Sequence, residues 1–86
     1  MIAEKFGWLI SELRLLKNKY KYLESVTGTY EPMHFCYIVY FNCNFCGEII
    51  TIPVFIADDL FIDRYILEKV VTEFTSYYSA YEKYFT

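Results

Sequence analysis

Two cysteines three positions apart, followed at once by a glycine, are the sharpest chemical feature of this 86-residue chain: Cys43-Asn44-Phe45-Cys46-Gly47. Thiolates at that spacing in a tight turn can aim at one metal ion, and the glycine allows the backbone to twist beneath them. A structural zinc needs four ligands, and two more could come from His34 and Cys36. If residues 36–42 are extended, seven steps of ~3.3 Å put Cys36 about 23 Å from Cys43. Sulfurs of one zinc site all lie ~2.3 Å from the ion, so His34 and Cys36 are the weaker candidates and Cys43 with Cys46 form a half-site. A thioredoxin-type redox role would place the first cysteine at a helix N-terminus, whereas this pair falls between strands. Ordinary turn cysteines without a ligand account for the pattern most simply.

The Cys-x-x-Cys-Gly tip resembles the knuckle of zinc ribbons and rubredoxins. The likeness is confined to the hairpin, and the second knuckle of those four-cysteine sites has no counterpart in this chain. It implies zinc as the one cofactor in view, held where two protomers bring their knuckles together.

Little else suggests catalysis. His34 is the single histidine, and no Gly-x-Ser-x-Gly or recurring carboxylate–histidine pattern accompanies it. Asp58 and Asp59 are adjacent carboxylates that helix capping explains. Three glycines leave no phosphate loop or dinucleotide fingerprint. The basic run from Arg14 through Lys17, Lys19 and Lys21 is interleaved with Tyr20 and Tyr22, the mixture that grips single-stranded nucleic acid. Against that, the chain carries a net charge of −3, and a helix end attracts lysines in any case. The expectation is no enzyme, and no nucleic acid as the principal partner.

Around these residues the hydrophobic pattern lays out the elements. Ile2, Phe6, Leu9, Leu13, Leu16, Tyr20 and Leu23 alternate in steps of four and three, which predicts an amphipathic helix over 2–24 with Gly28 as its stop. Trp8, Leu15 and Tyr22 recur every seven residues as a second apolar stripe, where a monomer's surface helix should be polar. They are the first candidates for partner contact. Residues 35–42 and 48–56 read as a hairpin around a polar turn at 42–47, and 26–31 as a short third strand. Phe35, Tyr37, Val39 and Phe41 face one way and Cys36, Ile38 and Tyr40 the other, so both faces need cover. Pro53 belongs at a sheet edge or bulge. A second helix is expected from Asp58 and Asp59 to about Tyr84, with a core face of Ile66, Leu67, Val70, Val71, Phe74, Tyr77, Tyr78, Tyr81 and Phe85. Phe61 and Tyr65 lie on its polar side and join the contact candidates.

The predicted fold is a single α+β domain over 1–86 in the order α-β-β-α, two helices on one face of a small antiparallel hairpin or three-stranded sheet. At 56% hydrophobic and 22% aromatic, the chain has more apolar surface than one small core hides. Two helices cover one sheet face, and a second copy is expected over the other, face to face or edge to edge. Charge is split, +1 over residues 1–31 and −4 over 32–86, which suits solubility more than any large field. Three cysteines, no basic-then-apolar leader and no apolar run near the ~20 residues of a membrane span point to a cytoplasmic protein. Its Tyr-, Phe-, Ile-, Lys- and Asn-rich usage suits an AT-rich genome, many viral ones included. The function expected is a small non-enzymatic adaptor or inhibitor, virus-encoded, that occludes a surface on a protein partner as a homodimer. Two alternatives stand beside it: a zinc-knuckle module touching nucleic acid, and a small-ligand sponge at a dimer seam.

Overall fold

A computed structural model describes residues 4–86, so Ile2 lies outside the described residues. Helix α1 (Glu4–Arg14) leads through a 3₁₀ turn (Leu15–Asn18) into strands β1 (Leu23–Glu31), β2 (Cys36–Phe45) and β3 (Glu48–Ala57), and helix α2 (Arg64–Phe85) follows. The strands form an antiparallel meander in chain order, with β2 in the middle. The architecture is therefore α+β, α-β-β-β-α, with the third strand longer than its predicted 26–31.

The first helix is ten residues shorter at its C-terminal end than the periodicity predicts. Leu16, Tyr20 and Leu23 continue the four-three spacing because they point into the same core, but from a tight turn and a strand. Lys19 and Tyr20 both donate backbone bonds to Leu16 O, Leu23 donates to Tyr20 O, and the chain then turns into the Thr- and Val-bearing run of β1. Trp8, Leu15 and Tyr22 thus never form one stripe. Gly28 is not a helix stop: it sits mid-strand, where a Cβ would lie 2.7 Å from the Phe6 ring and 2.8 Å from Ile10 Cδ1. The bare backbone there lets α1 lie close against β1.

Both helices lie on one face of the sheet. Phe6, Leu9, Ile10 and Leu13 of α1 and Ile66, Leu67, Val70, Phe74 and Tyr78 of α2 are buried against Val39, Phe41, Cys43 and Phe45 of β2 and Ile52, Val54 and Ile56 of β3. Phe74 stacks on Phe41 at 4.2 Å between ring centroids and meets Tyr20 edge-on at 5.2 Å. Tyr78 packs on Phe45, and its hydroxyl accepts the Tyr22 backbone N–H at 3.0 Å. Val71, Tyr81 and Phe85 are half-buried at the rim, and Tyr77, placed by the pattern in the core, is exposed.

The second helix begins five residues later than Asp58 and Asp59 suggest. Asp63 is its cap: extended at φ −141° and ψ −169°, it accepts the Ile66 N–H at 3.1 Å. Asp58 instead accepts a 2.6 Å bond from the Tyr30 hydroxyl, which holds that phenol's pKa up at about 12. The β2–β3 turn is also tighter than 42–47. Asn42–Phe45 remain in the strand, and only Cys46 (φ 55°) and Gly47 (φ 102°) turn, both left-handed as a type I′ hairpin requires. Gly47 N–H donates to Asn44 Oδ1 at 2.7 Å.

Candidate interaction surfaces

Because strand β2 runs straight into a two-residue turn, the Cys-x-x-Cys pair is divided. Cys43 points beneath the helices and is 1% exposed, with its thiol toward Phe41 O; Cys46 stands exposed at the turn. Burial, aided by the charge of Glu24, pushes the Cys43 thiol up to about 11. Cys36 and the exposed His34 lie at the opposite end of β2, and His34 Nδ1 is 4.0 Å from Glu31 Oε1. Among the described residues no three His, Cys, Asp or Glu side chains gather at one point.

This division has a measurable consequence. At pH 8 a thiol reagent is expected to modify Cys46 rapidly, half-buried Cys36 more slowly and Cys43 only on unfolding. Below about pH 7.5 both folded and unfolded chains keep the Cys43 thiol protonated, and its full contribution is present. As pH rises toward 11 the unfolded chain ionises first, so stability falls across that window, and Cys43→Ala should flatten the fall in thermal melts. Equal slopes in the two proteins would contradict the burial of this thiol.

The basic run sits on the 3₁₀ turn and the residues after it. Lys19 Nζ lies 5.6 Å from the Tyr20 ring centroid and Lys21 Nζ 5.4 Å from that of Tyr22. Both rings are occupied on their inner sides, Tyr20 by Phe74 and Tyr78 and Tyr22 by Phe45. They are rim residues of the core, not free stacking platforms.

The five contact candidates separate into two groups. Trp8 (38% exposed), Leu15, Phe61 and Tyr65 present large apolar area to solvent, whereas Tyr22 is half-buried and structural. Lys5 Nζ lies 3.6 Å over the Phe61 ring, tying the link between β3 and α2 to the helix face that also bears Trp8 three residues on. Leu15 begins the 3₁₀ turn and Tyr65 the first turn of α2.

A larger surface lies on the sheet face turned away from the helices. Strand registers place Thr29, Ile38 and Phe55 side by side there, with Thr27, Tyr40 and Pro53 as the next row. Asn42 links Ser25 and Thr51 across the following row by hydrogen bonds of 2.9 and 3.1 Å. Phe55 and Ile49 are 62% and 68% exposed. The alternation of Ile50, Ile52, Val54 and Ile56 inward is the signal that would have marked Phe55 as outward. A shallow groove of about 250 Å³ between β3 and α2, lined by Pro53, Phe55, Glu73, Tyr77 and Tyr81, adjoins this face. No helix among the described residues is long and apolar enough to cross a membrane. Comparison with protein-family models, with curated proteins and with solved structures gave no match for this chain.

Proposed function

We propose that this chain is a small non-enzymatic protein-interaction module, a homodimer that acts by occluding a surface of a larger protein. The observation that carries this reading is the amount of large apolar side chain left outside a completed core. Trp8, Leu15, Phe61 and Tyr65 are exposed, while both helices already bury apolar faces against the sheet and no buried side-chain nitrogen or oxygen among the described residues lacks a partner. Apolar area of that extent is retained in soluble domains chiefly at contact sites. Aromatic side chains with few rotatable bonds lose little entropy on docking, which suits Trp8 and Tyr65 to anchor roles. The reducing cytoplasm is the proposed setting, since Cys36, Cys43 and Cys46 all stand free.

Photo-crosslinking from single positions tests the reading. A benzophenone side chain at position 8 or 61 should join one heterologous protein in cells, while the same group at position 84, on the far end of α2, should not. Self-products alone from positions 8 and 61 would reduce the function to self-association. Equal labelling from all three positions would remove the assignment of this surface.

A further inference from the structure

Resting on the reading of this chain as a self-associating module, we infer that the dimer seam is the open face of the sheet, laid against the same face of a second copy. The two sheet edges take no part. Ile38 is the first sign. It is 8% exposed, yet it lies outside the core beneath the helices, screened only by its neighbours on the open face. Phe55 flanks it in register and Tyr40 and Pro53 form the next row, so the β2–β3 half of the face is a continuous apolar patch, with Thr29 and Thr27 along its β1 side.

Charge selects the occupant. The chain is 22% charged, but the three central rows of this face, from Ser25–Asn42–Thr51 to Thr29–Ile38–Phe55, carry no charge; Glu31 stands at one end of β1 and Glu24 in the bulge at the other. A strongly acidic or basic partner would find nothing to pair with in those rows and would lose solvation on docking. A second copy brings an equally neutral face, and two sheets pack with their inner side chains interdigitated about 10 Å apart.

Area sets the strength. Three strands of about ten residues give a flat footprint of roughly 14 by 33 Å. That is roughly 460 Å² per partner, below the roughly 800 Å² usual for a stable specific interface and in the range of weak, transient contacts. The seam is thus one that dissociates on dilution.

The edges are blunted in ways that exclude the rival arrangement. Backbone pairing alternates from the hairpin's closing pair, Phe45 with Glu48, so Tyr40 and Pro53 form a non-bonded pair and the Pro53 nitrogen points outward. The outer row of β3 therefore lacks a donor at its centre. On the other side, Arg14 Nε donates to Val26 O at 3.0 Å and occupies an outward carbonyl of β1.

Sedimentation velocity over a concentration series, from micromolar to near-millimolar, tests this on the full chain and three variants. Thr29→Glu and Phe55→Glu each place a carboxylate on the exposed open face, on opposite outer strands; Tyr84→Glu is the control at the end of α2. Circular dichroism and melting temperature show whether each variant is folded. The unaltered chain and Tyr84→Glu should dimerise as concentration rises, and both open-face variants should weaken association at least about tenfold. Loss in only one of the two would place the seam at that strand's edge and overturn the inference. Unchanged association in both would place it elsewhere and leave the module reading standing. An unaltered chain that stays monomeric throughout would overturn this inference and the homodimer together, whatever the crosslinks from positions 8 and 61 show.

Discussion

Truncating Phe74 to alanine should cost about 3–5 kcal/mol, the usual price of deleting a buried aromatic ring. A chain of this length has a total stability of about 4–13 kcal/mol, so the variant should be largely unfolded or melt at least about 12 °C lower. The expectation comes from position as much as size. Phe74 is fully buried, stacks on Phe41 of the central strand and meets Tyr20 and Tyr78. It thereby joins α2, the sheet and the turn after α1 in one contact cluster. Tyr77→Ala, three residues on and 49% exposed, should change stability by no more than about 0.5 kcal/mol. Urea unfolding of the pair gives the answer. Similar midpoints for the two variants would mean that α2 does not dock by the face described.

Gly28→Ala should destabilise by about 1–3 kcal/mol, although alanine is ordinarily harmless in a strand. The added methyl would start 2.7 Å from Phe6 Cζ, and Phe6 is held at 2% exposure with little room to retreat. Shortening the opposing ring provides the internal check. Phe6→Leu alone loses packing, but combined with Gly28→Ala it makes room for the methyl, so the double variant should lose less than the two singles together. Strict additivity in denaturant titrations would show that the helix and strand do not approach this closely.

The residues that specify local conformation were readable without coordinates wherever one interaction decided the outcome. Pro53 marked an edge strand, the Cys46-Gly47 step lay within the predicted turn, and the apolar face of α2 from Ile66 to Phe74 followed helical periodicity. Reading failed where two geometries share one spacing. Leu16, Tyr20 and Leu23 keep step with a helix because all three enter the same core, and only the competing strand propensity of Val26, Thr27 and Thr29 distinguishes the alternatives. Asp58, Asp59 and Asp63 are all competent caps, and tertiary contact decides among them: Tyr30 engages Asp58, which leaves Asp63 to start the helix. The candidate surface was half legible for the same reason. Trp8, Leu15, Phe61 and Tyr65 are exposed, but Tyr22 lies beyond the end of α1, just before β1, and packs inward. Phe55 lies opposite the inward alternation of Ile50, Ile52, Val54 and Ile56, a signal blurred because Ile49 and Pro53 make its own side of β3 apolar too, and its register with Ile38 fixes the outward direction.

The left-handed pair Cys46-Gly47 makes this surface loop unusually intolerant of insertions and deletions. Most exposed loops absorb an added residue at small cost, since the connected elements keep their places. Here the turn counts for β3 as well as reversing the chain. One residue more or fewer, taken up by sliding β3 one position along β2 so that the two-residue turn is kept, would exchange the two faces of β3. Ile50, Ile52, Val54 and Ile56 would then be driven outward, and Pro53 and Thr51 would be turned beneath α2. Among descendants of this sequence, length should therefore vary in the β1–β2 loop and in the link before α2, while the two positions between Phe45 and Glu48 change in residue type but not in number.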